Sequence, residues 1–201
     1  MEKKKKITKE QIINTALDLM RDKNELRTVN MREIARTLGC AHTNIYNYFP
    51  SYTDLLWETH TAILEVFMNT LEEKLSAVTT AEIKLRYFFD TFVQMYLNNQ
   101  GWFRLVWLEY IGVDRPTSNI ETTAKVHLAL NHIIVNILSE LNGFVPDDAV
   151  VNRVVHNAHC YIIGEVSNYI SGRGLIENEA ELREYIVNEA INLLTCCIRK
   201  E

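Results

Sequence analysis

The chain has 201 residues, 47% of them apolar and 23% charged, with only seven glycines and three prolines. That balance belongs to a globular protein rather than a disordered one, and so few turn formers exclude a many-stranded β architecture. No apolar run reaches the ~18 residues that would cross a bilayer, and a net charge of −5 does not by itself argue for a polyanionic partner.

The charge is unevenly placed. Residues 1–52 hold ten Lys or Arg against six acids, a balance of +4, while the rest of the chain holds eleven against twenty, a balance of −9. A basic end on an acidic body suits contact with a polyanion, although a solvated lysine tail would give the same count. The lysines of MEKKKKITKE are not followed by an apolar h-region, so a cytoplasmic chain is expected. In that compartment Cys40, Cys160, Cys196 and Cys197, which form no CxxC pair, read as reduced thiols.

Nearly every Gly and Pro falls between stretches of helical period, and capping signals stand at the starts: Thr8-x-x-Gln11, Asn30-x-x-Glu33, Ser51-x-x-Asp54, Thr79-x-x-Glu82, Asp147, Ser118-x-x-Glu121 and Asn178-x-x-Glu181. These signals predict nine helices, over 8–23, 31–38, 42–48, 52–77, 80–98, 101–111, 119–142, 148–171 and 179–199, and an all-α fold. The first turns Ile12, Ile13, Ala16, Leu17 and Met20 to one face. The second does so with Met31, Ile34, Ala35 and Leu38, and the third with Ile45 and Phe49. Three short amphipathic helices can bury one small core. Gly39 directly after Leu38 allows a left-handed stop, and the next helix follows within about three residues, which forces the steep crossing of a helix-turn-helix. Any helical hairpin can contain such a turn.

The residues around the turn narrow the reading. Ile13, Ala16 and Leu17, then Met31-Arg32-Glu33-Ile34-Ala35, Gly39, Ile45-Tyr46, Phe49, Ser51, Asp54 and Leu55 resemble the N-terminal domain of the TetR family of bacterial transcriptional regulators, without insertion over residues 8–56. The chain departs from the family pattern at Tyr52, where a Lys is usual, and at Ala41, where a Ser or Thr is common. The resemblance implies a helix-turn-helix DNA-binding domain over residues 1–51. A larger helical effector-binding and dimerisation domain would follow over 52–201. The implied activity is ligand-responsive regulation as a homodimer on a palindromic operator, most simply repression relieved by a small apolar or aromatic effector. Activation by the same fold, an all-α enzyme and a helical interaction module are the alternatives. There is no Gly-rich phosphate loop, Gly-x-Ser-x-Gly elbow or HExxH to support an enzyme.

Residue chemistry assigns the reading positions. Asn44 and Asn47 can each pair with adenine, His42 with guanine or cytosine, and Thr43 with a thymine methyl. The resemblance implies phosphate contacts for Tyr46 and Tyr48, although Tyr46 could equally pack between helices. Arg32 can reach a phosphate or a guanine, and the third helix contains no Lys or Arg. Affinity would therefore come from backbone contacts by Arg32, Arg36 and Lys3 to Lys6.

Aromatic residues crowd the middle of the chain. Phe67, Phe88, Phe92, Tyr96, Trp102, Phe103, Trp107 and Tyr110 are expected to line an effector pocket, with Glu65, Asp90, Gln94, Glu109, His127 and Asn131 as polar candidates, although a plain core would use the same side chains. His156, His159 and Cys160 have metal-ligand spacing on one helix face, and Cys196-Cys197 could respond to redox state. Neither is preferred, and no metal or cofactor is expected. The helices at 148–171 and 179–199 are expected to form a four-helix interface with a second copy. The faces assigned to it are Val151, Val154, Val155, Ala158, Ile162, Val166 and Ile170, and Leu182, Ile186, Ala190, Ile191 and Leu194.

Overall fold

The structure is a computed structural model and describes residues 7–112 and 114–198, with the backbone alone at Arg27. Lys3 to Lys6, to which phosphate contacts were assigned, lie outside the described residues, as does Arg199 at the expected end of the last helix. Among the described residues there are nine α-helices and no strand. They are α1 (Lys9–Met20), α2 (Met31–Leu38), α3 (Thr43–Tyr46), α4 (Tyr52–Ser76), α5 (Ala81–Asn98), α6 (Gln100–Phe103), α7 (Thr117–Asn142), α8 (Asp148–Ile170) and α9 (Glu179–Cys197). None is long and apolar enough to cross a membrane.

Most starts follow the expected capping chemistry. Thr8 and Gln11 exchange reciprocal side-chain-to-backbone bonds at 3.1 Å each. Asn30 accepts from the amides of Arg32 and Glu33, Ser51 and Asp54 cap α4 reciprocally, and Asp147 and Asn178 accept from Val150 and Glu181. Each satisfies backbone donors that a helix start leaves unpaired.

Three local expectations need correction. The helix α7 begins at Thr117, not after Ser118, because the carbonyl of Pro116 already accepts from the amides of Asn119 and Ile120. The third helix is shorter than 42–48, with Asn47 as its C-cap, and turn bonds to Ile45 continue it to Phe49. The expected helix over 101–111 is only α6, followed by a π-type turn over Arg104–Leu108 in which Glu109 N–H donates to Arg104 O at 2.7 Å; Glu109 itself is extended.

The helices gather into two compact units, one drawn from Met1–Leu64 and Asn99–Thr122, the other from Glu65–Asn98 and Thr123–Glu201. In the first, Ile12, Ala16, Met20, Leu26, Val29, Ile34, Ile45, Phe49 and Leu55 form the core. Segment 99–103 joins it with little clearance. Gly101 N–H donates to Arg21 O at 2.8 Å, and Trp102 Nε1 donates to Leu17 O at 2.8 Å. A Cβ at Gly101 would stand 1.7 Å from Met20 O, so only glycine permits this approach.

In the second unit α5, α8 and α9 pack together. This corrects the expected dimer faces. Val151, Val154, Ala158, Ile162 and Val166 of α8, and Leu182, Ile186, Ala190 and Leu194 of α9, are buried within the single chain. These nine are taken up by α5 and by each other, while Val155, Ile170 and Ile191 of the expected faces stay half-buried. A bidentate pair between Arg183 and Asp90, at 2.6 and 2.7 Å, ties α9 to α5.

Candidate DNA-reading face and effector cluster

Gly39 ends α2 with φ 68° and ψ 34°, and its amide donates back to Ala35 and Arg36. This left-handed residue turns the chain sharply, and α3 starts at Thr43. Ile45 and Phe49 are buried and hold α3 from behind, while Ala41, His42, Thr43, Tyr46 and Asn47 are exposed and Asn44 is half-buried. The expected base readers therefore share a free face. Tyr46, 49% exposed, meets His42 edge-to-face at 6.2 Å. Arg32 is exposed at the start of α2 and Arg36 at its end.

Two tyrosines face inward instead. The Tyr48 hydroxyl donates to Ile7 O, which fixes the entry to α1 against the turn that follows α3. Tyr52 donates to Val29 O and lies 3.4 Å from Leu26 O. Burial, helped by the nearby Glu109 and Glu33 carboxylates, pushes its phenol up to about 12. At the side of the core, Lys9 pairs with Glu58 at 2.7 Å and lies over the Phe49 ring.

A buried polar node, absent from the sequence expectations, lies in the same unit. Asn119 Nδ2 is 2.7 Å from Thr61 Oγ1, 3.0 Å from His60 Nδ1 and 3.3 Å from Trp57 O, and Arg115 Nε donates to Asn119 Oδ1 at 2.7 Å. Burial, with the Arg115 charge, lowers His60 to about 4. Thr59, His60 and Asn119 are all buried polar residues.

The expected effector-lining residues fall into two groups. Phe67, Phe88, Phe92, Tyr96, His127 and Asn131 belong to the second unit, and Trp102, Phe103, Trp107 and Tyr110 to the first. Phe92 is the hub of its group, 4.4 Å from Phe67, 5.5 Å from Phe88 and 6.2 Å from Tyr96, centroid to centroid. The His159 ring lies 4.9 Å from Phe92, and its Nε2 is 2.8 Å from the Tyr96 hydroxyl. Burial, reinforced by the His127 and His156 imidazoles, lowers His159 to about 4. Sequence reasoning had considered His159 only beside His156 and Cys160. The structure separates them: His159 turns inward, whereas His156 and Cys160 stay exposed with Nε2 and Sγ 3.6 Å apart. Among the described residues no three metal-ligating side chains converge. Asn131 Oδ1 is buried without a hydrogen-bond partner. In the first group Phe103 is buried, Trp102 is fixed to α1, and Tyr110 is 76% exposed.

No protein-family model matches the sequence, and no curated protein matches it. Solved structures do match the fold. A TetR transcription regulator from Haloarcula marismortui aligns with a TM-score of 0.70 at 14% identity, over 94% of this chain and 97% of that one. A TetR-family regulator from Streptomyces coelicolor gives 0.70 at 19% identity, over 94% and 80%. The regulator FadR from Bacillus subtilis, in complex with stearoyl-CoA, gives 0.63 at 17%, over 95% and 98%. The chain has the TetR-family fold. Within that fold the departure at Tyr52 gains a physical account. The TetR-pattern lysine is replaced by a phenol that bonds the backbone of the loop before α2.

Proposed function

We propose that this protein is a transcriptional regulator that binds a near-palindromic operator as a homodimer and is released from it by a small apolar or aromatic molecule. The observation that carries the reading is the free face of α3 behind the left-handed Gly39, within a TetR-type fold. Asn47 and Asn44 read adenine, His42 and Thr43 read neighbouring bases, and Tyr46, Arg32 and Arg36 supply backbone contacts, whereas Tyr48, bonded to Ile7 O, does not. With so few cations on the face, specificity rests on neutral pairs and affinity on phosphate contacts at its edges. The functional division is residues 1–51 for DNA and 52–201 for effector and partner, and the protein acts in the cytoplasm without a cofactor. Regulators among the structural neighbours support a role other than catalysis.

Two copies join through the outward faces of α8 and α9, on which Tyr185 and Leu193 are exposed and Gly164 has open space around it. Two-fold symmetry then requires half-sites about one helical turn, or a small multiple, apart. Effector occupancy is transmitted by α4, which follows the reading segment directly and contributes residues to both compact units. A preference of about 1–3 kcal/mol for the released state changes operator affinity five- to 150-fold. The acyl chain carried by the Bacillus subtilis neighbour's ligand supports an apolar effector.

The test is a gel shift on DNA from the gene's own upstream region. A sequence-selective shift is expected. Asn47→Ala should cost about 1–3 kcal/mol at one base pair, and Arg32→Ala should weaken binding to all sequences alike. An absent shift, or an Asn47→Ala protein with unchanged affinity and preference, overturns the reading. A monomer in light scattering at micromolar concentration overturns the dimer.

A further inference from the structure

We infer that His156 and Cys160 form half of a zinc site, which a second copy of this chain completes with the same two side chains. This rests on the homodimer reading above and adds a bridging cation to that interface; the reading face on α3 does not need it.

The first observation is a distance. Zinc holds a thiolate sulfur at about 2.3 Å and an imidazole nitrogen at about 2.0–2.1 Å in a tetrahedron, so a bound S and N stand about 3.6 Å apart. Cys160 Sγ and His156 Nε2 are 3.6 Å apart. Four positions apart on α8, the two side chains are neighbours on one helix face. Both are exposed, so a cation reaches them without any cavity. His159, between them in sequence, is turned away and pairs its Nε2 with the Tyr96 hydroxyl.

The second observation is a deficit. A structural zinc takes four protein ligands, and this pair supplies two. Among the described residues no third His, Cys, Asp or Glu joins them. A closed site therefore needs two ligands from another chain.

The third observation is direction. Val154, Ala158, Ile162 and Val166 of α8 are buried. Asn152, His156, Cys160, Gly164 and Asn168 each stand two positions from one of these, about 200° round the helix, and all five are exposed. The ligand pair thus points away from its own chain, toward the side from which a second α8 can approach. Gly164, one turn beyond Cys160, has open space around it, so no side chain there holds a second helix off. None of the five offers a large apolar group, so apolar burial does not hold two helices together along this line, whereas a shared metal does. In an antiparallel pair of α8 helices with the two-fold axis level with Ala158, each His156 stands opposite the Cys160 of the other copy. One cation on the axis then meets two thiolates and two imidazoles.

The experiment is titration of the full chain, without DNA and in a non-chelating reductant, with cobalt(II) as a coloured stand-in for zinc. The visible bands of tetrahedral cobalt and a sulfur-to-metal charge-transfer band should saturate at one cobalt per two chains, and zinc should then bleach both. Cys160→Ser and His156→Ala, at exposed positions, should each abolish the bands. Cys196→Ser with Cys197→Ser should keep them. In sedimentation, zinc at about a hundred times its own dissociation constant should tighten the dimer about a hundredfold, and should not do so in Cys160→Ser. Saturation at one cobalt per chain, bands that survive Cys160→Ser, bands that vanish with Cys196 and Cys197, or a dimer indifferent to zinc overturns the proposal. A dimer that binds no cobalt overturns the metal site and leaves the homodimer standing. A chain that stays monomeric at micromolar concentration with and without zinc overturns both.

Discussion

Phe92 and Trp102 come from one aromatic run of the sequence, yet they serve different compact units. Phe92 is surrounded by rings and by an imidazole. Trp102 donates to the backbone of α1 and has the Arg21 guanidinium 5.3 Å from its ring. An aromatic cluster in sequence is not one in space. What separates the two is Gly101, whose missing side chain lets the chain after α5 lie against the last turn of α1. The first unit thus contains α3 and all three tryptophans, Trp57, Trp102 and Trp107, and the second contains the ring cluster without any. Tryptophan emission therefore reports on the first unit alone.

The largest expected effect breaks the second unit. Phe92→Ala removes the hub ring, and a buried Phe truncated to Ala costs about 3–5 kcal/mol. Urea unfolding followed by far-UV circular dichroism should register that loss. A cost under about 1 kcal/mol would mean that the rings around Phe92 collapse easily and form no defined cluster. Gly101→Ala is the counterpart in the first unit. Its Cβ meets a backbone oxygen, so α6 or the end of α1 must shift, at about 3 kcal/mol. Tryptophan emission should show the loss and operator affinity should fall; an unchanged emission midpoint would mean that α6 yields without cost.

Acid separates the units by a different route, since the first holds the buried His60 and the second the half-buried His159. His60 in the first and His159 in the second are both lowered to about 4, against about 6.5 in an unfolded chain. Between those values the unfolded state binds the proton and the folded state does not, so stability rises with pH. Each histidine contributes its full share above about pH 6.5 and loses it as pH falls toward 4, up to about 3 kcal/mol apiece. His60→Leu should flatten the acid dependence seen by tryptophan emission, and His159→Leu the dependence seen by circular dichroism. An acid dependence unchanged in both variants would assign the titration to other groups.

Legibility followed the range of the interaction. Helix starts at Thr8, Asn30, Ser51, Asp147 and Asn178 were readable because a cap is made by residues two or three positions away. The turn at Gly39 and the buried pair Ile45 and Phe49 were readable for the same reason. The α8 and α9 faces were read correctly as apolar but given to the wrong neighbour, because period alone does not say which helix covers a stripe. The node of His60 and Asn119 was not readable at all. Its members are 59 positions apart, and each in isolation looks like an ordinary polar residue. His159 was visible only beside its neighbours on α8, since its partner Tyr96 is on another helix.

The smallest expected effect tests where the reading unit ends. Tyr52 occupies the place of a TetR-pattern lysine, and a lysine there would be a phosphate contact. Its hydroxyl instead donates to Val29 O. Removing it in Tyr52→Phe should cost about 0.5–1.5 kcal/mol of stability, the net value of one hydrogen bond. Operator affinity and its salt dependence should be unchanged once the protein is folded, because no phosphate contact has been lost. Tyr52→Lys asks the opposite question. A cation at this position that reaches DNA should steepen the fall of log affinity with log salt by about 0.9, one further neutralised phosphate, while the lost bond to Val29 lowers stability. A Tyr52→Phe protein of full stability but weakened operator binding would move the phenol from the core to the interface. The edge of the DNA contact would then lie on α4 rather than at the end of α3.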